Sequence, residues 1–241
     1  MVESYLLLKQ KAGYAAVDFV ESGMVVGLGT GSTSVWAVKR LAELLGKGKL
    51  ADILAVATST ATEEQAGKLE IPVTTLESCS HVDLTIDGAD EVDYDLNLIK
   101  GAGGALLREK IVAQASRRLI IVVDESKLSS RLGVKQSLPV EVIPFGWKTQ
   151  QEFLEDLGAE VRLRIGTDEK AFVTDQGNYI LDCRFGPIQD AIALAGRLKA
   201  RSGIVEHGLF LRMATDLIVA GSKGVDYYTA RHKFTDRPSR P

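Results

Sequence analysis

The sequence predicts an α/β fold: a mostly parallel sheet covered by helices on both faces, with a small α+β domain inserted into it. Three observations predict it. Short β-branched apolar runs alternate with amphipathic helical stretches as far as about residue 133. That alternation then gives way to closely spaced strands carrying a hairpin signal. A last apolar run, Leu217-Ile218-Val219-Ala220, is placed to return as a strand to the first sheet.

Residues 3–22 read as a helix, because Leu6, Leu7, Ala12, Ala15, Ala16 and Phe19 recur at helical spacing. Met24-Val25-Val26-Gly27 is short and apolar, as a buried strand is. A Gly/Ser/Thr loop follows, then a helix over about 34–45 with Val35, Val38, Leu41, Ala42 and Leu45 as its stripe. Residues 53–57 read as a strand, and Thr60 with Glu63 as a capping box that opens the next helix. Residues 73–76 and 82–86 read as strands, 105–116 as a helix and 119–123 as a strand. In the inserted part, 140–143, 161–165, 171–174 and 179–183 read as strands and 148–157 and 188–198 as helices. Asp175-Gln176-Gly177-Asn178 is the hairpin turn. The expected division is 1–133 with 208–241 as the α/β domain and 134–207 as the small one. The last dozen residues, with Arg231, Lys233, Arg237, Arg240 and two prolines, read as a mobile tail.

A chain of 241 residues can bury a core without disulfide or metal staples. Its 45% apolar and 25% charged residues are ordinary for a globular protein. A net charge of −3 speaks against a general nucleic-acid binder. Cys79 and Cys183 form no C-x-x-C or zinc pattern and read as reduced thiols, which suits a cytoplasmic setting or a plastid. No apolar run reaches the ~18 residues of a membrane span, and the N-terminus lacks the basic-then-apolar pattern of a secretion signal. No membrane and no nucleic-acid partner is expected.

Two constellations carry chemistry. Gly27-Leu28-Gly29-Thr30-Gly31-Ser32-Thr33 joins a strand to a helix. Glycines let backbone approach a ligand closely, and the helix N-terminus favours an anion. Taken alone, the loop fits a simple Gly-rich helix cap as well as a phosphate cradle. It lacks the Lys of a Walker loop, and Ser32 stands where a dinucleotide fingerprint needs Gly. The second constellation begins with Asp87-Gly88-Ala89-Asp90 after a strand and continues with Lys100, a second glycine loop Gly101-Ala102-Gly103-Gly104, and Glu109 early in a helix. Taken singly these read as a solvated acidic turn, a surface lysine and a surface glutamate; the glycine spacing of a calcium loop is not met. Together they offer what aldose–ketose isomerisation needs: a held carboxylate base, a cation for the enediolate oxygen, groups that move protons on the oxygens, and a phosphate anchor. No metal and no cofactor is required.

With GLGTGST, TIDGADEVD, LIKGAGGALLREKI, VVDESK and LPVEVIPFG in this order, the sequence closely resembles type A ribose-5-phosphate isomerase over nearly the whole chain. The resemblance implies a doubly wound α/β domain with a small ferredoxin-like α+β domain, and a homodimer or larger homo-oligomer. It implies isomerisation of D-ribose 5-phosphate and D-ribulose 5-phosphate, in the pentose phosphate pathway and, in a photosynthetic source, the Calvin cycle. It makes Glu109 the base between C1 and C2, Asp87 the group that moves protons on the oxygens and helps open the ring, and Lys100 the oxyanion partner. Asp90 would position hydroxyls. Thr30, Gly31, Ser32 and Thr33 would bind substrate, with Gly88, Ala89, Gly101, Ala102 and Gly103 alongside, Lys127 as a further contact, and Lys9 reaching the phosphate on a looser match. Ala102 stands where such proteins often carry Gly.

Two other classes compete. A sugar-phosphate-sensing domain of a regulator would bind without turnover; it would normally bring a helix-turn-helix, and nothing before residue 23 is long enough for one. An amino-sugar phosphate deaminase or coenzyme A transferase would use differently placed acids and, in the deaminase, a catalytic His. His81, His207 and His232 all lie outside the constellation.

Overall fold

A computed structural model describes residues 5–230. The proposed C-terminal tail, His232 and the first two residues of the expected first helix lie outside the described residues. The chain opens with α1 (Tyr5–Val17), β1 (Val25–Leu28), α2 (Ser34–Gly46), β2 (Leu54–Ala57), α3 (Thr60–Lys68) and β3 (Leu84–Gly88). A two-residue hairpin pair, β4 (Glu91–Val92) and β5 (Leu98–Ile99), leads to α4 (Leu106–Ala115) and β6 (Leu119–Asp124). Then come β7 (Leu138–Val142), α5 (Trp147–Asp156), β8 (Glu160–Leu163), β9 (Tyr179–Arg184), α6 (Ala191–Lys199) and β10 (Ile204–His207). The last elements are β11 (Leu209–Phe210), β12 (Asp216–Gly221) and β13 (Gly224–Thr229).

The central sheet has the order β13-β12-β6-β3-β1-β2, parallel throughout except for β13 at one edge. Every residue of β6 is buried, as expected of a strand covered on both faces. Alternation assigns its side chains: Ile120 and Val122 pack with Ala12, Ala16 and Val38 of α1 and α2, while Leu119, Ile121 and Val123 pack with Val92, Leu98 and Phe210 on the other face. Ala113 of α4 packs in that second group as well, so helices lie on both faces and the fold is doubly wound. The second sheet is antiparallel with the order β10-β7-β9-β8. Its chain order, strand–helix–strand–strand–helix–strand, gives the ferredoxin-like arrangement. Leu138, Val140, Val142, Leu154, Leu181 and Leu198 form its own core.

Several expectations shift. The first helix ends at Val17 rather than residue 22. Residues 73–76 form no strand: Val73 makes one bridge to Ala55, and the chain then turns as Ser78 and Cys79 donate to Thr75 O. Residues 171–174 likewise make a single bridge, Ile165 to Ala171, because the Thr174 hydroxyl accepts from the Gln176 and Asn178 amides and curls the chain. The cap of α3 is Ser59, whose hydroxyl accepts from Thr62 N at 3.0 Å, so the capping motif lies one residue earlier than the Thr60–Glu63 reading. The second small-domain helix starts at Ala191, where Asp190 caps it, rather than at 188. The sequence reading missed β4, β5 and β11, which form a sheet of order β11-β5-β4, as well as β10 and β13.

Candidate active site

Four segments converge at the C-terminal edge of the parallel strands, where open α/β sheets bind ligands. The loop after β1 crosses the end of β3 so closely that a Cβ on Gly29 would lie 2.2 Å from Asp87 Oδ1. Gly31 has φ +123°, a conformation that suits glycine. The first intrahelical bond of α2 runs from Val35 N to Gly31 O, so the amides of Ser32, Thr33 and Ser34 stand ahead of it at the positive end of the helix. Lys9 reaches across from α1 and donates to Ser32 Oγ at 2.9 Å.

Asp87 closes β3 and is 1% exposed. Its Oδ1 accepts from Gly88 N at 2.7 Å and Thr30 N at 3.2 Å. Its Oδ2 lies 3.0 Å from Lys100 Nζ. Lys100 follows β5, and its backbone N–H donates to Gly208 O at 2.9 Å, which ties it to the returning chain. The Lys100 ammonium is 3.2 Å from Glu109 Oε1, donates to Gly88 O at 2.7 Å, and sits 5.5 Å from the Phe210 ring centroid. Glu109, in the first turn of α4, is 4% exposed, and its Oε2 is buried without a hydrogen-bond partner.

Two carboxylates and one ammonium thus share a space with little water. Burial pushes Glu109 up to about 8; Lys100 pulls it down, and the Asp87 charge adds to the rise. Burial also raises Asp87, against the pull of Lys100 and of the Gly88 and Thr30 amides. Burial works against the Lys100 ammonium, but Asp87, Glu109 and Asp90 outweigh it and raise its pKa. The arrangement holds a carboxylate able to take and return a proton near neutral pH beside a fixed positive charge.

The cleft above these groups encloses about 80 Å³ and is lined by Thr30, Gly31, Ser32, Thr33, Ser34, Gly88, Ala89, Asp90, Lys100, Gly101, Gly103, Glu109 and Lys127. Asp87 lies just behind Lys100. Ala102 does not line the cleft; its side is exposed and its N–H donates to Asp90 Oδ2 at 2.9 Å, which fixes the Asp90 carboxylate. The Thr30 hydroxyl is turned out of the cleft into a cluster with Thr58, Ser59 and Thr62, at 2.8, 2.8 and 3.0 Å. That cluster, which ties the first loop to the start of α3, was missed because hydroxyl residues at a helix start read as caps. Ser34 was missed as well: its Oγ is buried, unpartnered and faces the cleft. The rest of the acidic run is structural. Glu91 accepts from the amides of Gly133, Lys135 and Gln136 at 3.0, 3.2 and 3.1 Å, and Asp93 accepts from Asp95 and Asn97 N in an Asx turn. His81 is exposed, and His207 is buried beside Lys110 and Glu206, away from the cleft. Among the described residues, no group of three or more His, Cys, Asp or Glu side chains is placed to hold a metal ion, and no helix is long and apolar enough to cross a membrane.

The chain is similar to known proteins along nearly its whole length. The family model described as ribose 5-phosphate isomerase A (phosphoriboisomerase A) matches residues 54–224. A ribose-5-phosphate isomerase A of Chloroflexus aurantiacus is 56% identical over 221 residues, which is 92% of each chain. The ribose 5-phosphate isomerase of Plasmodium falciparum superposes with a TM-score of 0.90 at 44% identity, over 93% of this chain and 98% of that one. A D-ribose-5-phosphate isomerase solved in complex with phospho-erythronic acid superposes with a TM-score of 0.92 at 38% identity, over 94% and 100%. With the match spanning nearly the full length in both sequence and structure, this chain belongs to the ribose 5-phosphate isomerase A family.

Proposed function

We propose that the protein interconverts D-ribose 5-phosphate and D-ribulose 5-phosphate through an enediolate, with Glu109 as the base. The observation that carries this is the Glu109 carboxylate, buried, with one oxygen against Lys100 and the other unpartnered in the cleft. Glu109 takes the proton from C2 of the open-chain aldose and returns it to C1. Lys100 holds the oxygen that gains negative charge, which is stabilisation applied where charge develops. Asp87, with its raised proton affinity, moves the proton between the two oxygens and assists ring opening. Asp90 holds sugar hydroxyls. The amides at the start of α2, with Gly31, Ser32, Thr33 and Lys9, hold the phosphate, and Thr30 shapes that loop through its bonds to Asp87 and to the Thr58 cluster. Lys127 is a further substrate contact, Gly88, Ala89, Gly101 and Gly103 wall the sugar, and Ala102 acts on the cleft through its N–H to Asp90. A relative's structure with phospho-erythronic acid, a phosphorylated sugar acid, supports an anionic sugar-phosphate ligand for this site.

The same reading makes the reaction metal-independent, since the Lys100 ammonium supplies the positive charge. It takes the protein to be a homodimer or larger homo-oligomer that works in the cytoplasm or, as the name of a chloroplastic relative in Arabidopsis thaliana suggests, a plastid. It also treats 134–207 as the inserted domain and 1–133 with 208–241 as the catalytic one. The test is ketose formation from ribose 5-phosphate in the presence of EDTA. Turnover unaffected by the chelator is expected. Binding of ribose 5-phosphate without turnover at high protein concentration would overturn the enzyme reading in favour of a sensor.

A further inference from the structure

The second glycine loop, between β5 and α4, carries Lys100 at one end and leads to Glu109 at the other. It closes one turn bond of its own, Gly104 N to Gly101 O at 3.0 Å, and its remaining brace comes from the small domain. Arg164, just past β8, donates from Nη1 to Gly101 O at 2.8 Å and to Ala102 O at 3.0 Å. Its Nε donates to Asp182 Oδ2 at 2.9 Å and its Nη2 to Asp182 Oδ1, a bidentate fork from the neighbouring strand β9. The Arg164 side chain is 14% exposed. The Phe172 ring lies 5.9 Å from the guanidinium and also abuts Gly104, where a Cβ would come within 2.5 Å of the ring. The guanidinium is thus held by a carboxylate on one side and spends its other donors on two loop carbonyls.

Peptide planarity turns this into a statement about the cleft. In a trans peptide the N–H points opposite to the C=O. With the Gly101 carbonyl on Arg164, the Ala102 N–H must point the other way, and it donates to Asp90 Oδ2 at 2.9 Å. With the Ala102 carbonyl on Arg164, the Gly103 N–H is sent the same way, and Gly103 lines the cleft with Lys100 and Glu109. Beyond the Gly104 N–H on Gly101 O, this glycine-rich backbone has little resistance of its own to rotation of these planes. Rotated, they would present carbonyl oxygens to an anionic substrate. We propose that Arg164, clamped by Asp182, is a positioning residue that fixes the peptide planes of the 101–103 loop, so that the Gly103 N–H faces the sugar oxygen that becomes negative and the Ala102 N–H holds Asp90 in place. The proposal deepens the isomerase reading and rests on it.

The test is steady-state isomerisation of ribose 5-phosphate by Arg164→Met, Arg164→Lys and Arg164→Ala, with circular dichroism for folding. Donors aimed at developing charge act on the transition state, so Arg164→Met should lower kcat by about 10- to 100-fold with a smaller change in KM. Arg164→Lys, which can reach one carbonyl, should fall between. Guanidinium chloride at low millimolar concentration should restore part of the kcat of Arg164→Ala, and sodium chloride at equal ionic strength should not. A folded Arg164→Met with wild-type kcat would overturn the proposal, as would a loss confined to KM. If Arg164→Met does not fold, the Arg164→Ala rescue decides: no gain from guanidinium overturns it. A wild-type protein that makes no ketose overturns the parent reading and this one together; an active wild type with an unaffected Arg164→Met overturns only this one.

Discussion

Replacing Lys100 by Met removes three contacts of one buried ammonium: Asp87 Oδ2 at 3.0 Å, Glu109 Oε1 at 3.2 Å and Gly88 O at 2.7 Å. At an effective dielectric of 20, each of the two charge contacts is worth about 5 kcal/mol of Coulomb energy. The variant escapes much of this by protonating the carboxylates and admitting water, so a net loss of about 3–5 kcal/mol is expected at pH 7. For a chain of this length that lowers Tm by roughly 6–20 °C. The loss depends on pH in a definite direction. Glu109 already titrates near 8 against an ordinary value of 4.5, and without Lys100 it moves further up, as does Asp87. A carboxylate whose folded pKa is raised contributes its stability below the unfolded value and loses it as pH rises through the folded one. The Tm gap between wild type and Lys100→Met should therefore be small at pH 5 and large at pH 8.5. Turnover should fall on the order of 100- to 1,000-fold from lost oxyanion stabilisation, and further near neutral pH because the base is protonated. Thermal unfolding at pH 5, 7 and 8.5 with kinetics at the same pH values reads both effects. A Tm gap that stays constant with pH, or a kcat within twofold of wild type, would refute the reasoning.

Three further outcomes follow from the same geometry. Gly29→Ala adds only a methyl, but its Cβ would fall 2.2 Å from Asp87 Oδ1 and 2.5 Å from Asp87 Cα, so the loop must move off the end of β3; activity should drop at least about 10-fold, and thermal unfolding should show a lowered Tm. Glu206→Gln leaves Lys110, which donates to Glu206 Oε1 at 2.9 Å, buried without its counter-charge; a loss of roughly 3 kcal/mol by urea unfolding is expected. Burial already lowers Lys110 to about 8, so this loss should shrink as pH rises and neutral Lys110 becomes tolerable, the reverse of the Lys100→Met trend. The acid limb of kcat/KM in the wild type should lie above 4.5, towards the value of about 8 that burial gives Glu109; a limb at 4.5 would mean that another group is titrating.

The layers of this fold were legible because its long strands state their burial in composition. The all-apolar, β-branched Leu119–Val123 run read as a strand, and it is buried along its whole length, while the break near residue 133 marked the change of sheet. What stayed hidden was short or built from tertiary contacts. Two-residue strands such as β4 and β5 have no period to detect, yet they carry Lys100 to the cleft. Residues 73–76 have strand composition but meet only the edge of β2, through a single bridge. In the cleft, Asp87 was legible at a strand end and Lys100 and Glu109 beside a glycine loop and a helix start, but their roles came with the family resemblance rather than from placement alone. The inward side of Thr30 was not legible: its hydroxyl faces Thr58, Ser59 and Thr62, and its amide faces Asp87. Arg164 left no local signal, because the loop it braces lies more than sixty residues earlier in the chain.

Proton NMR of ribose 5-phosphate in heavy water with EDTA tests proton transfer through Glu109 most directly, run with wild type and with Glu109→Gln. The wild type should produce ribulose 5-phosphate with deuterium at C1, while Glu109→Gln, which keeps the shape but cannot act as the base, should bind the sugar phosphate and form ketose at least about 100-fold more slowly. Deuterium incorporation at an unchanged rate by Glu109→Gln would contradict the assignment of the base.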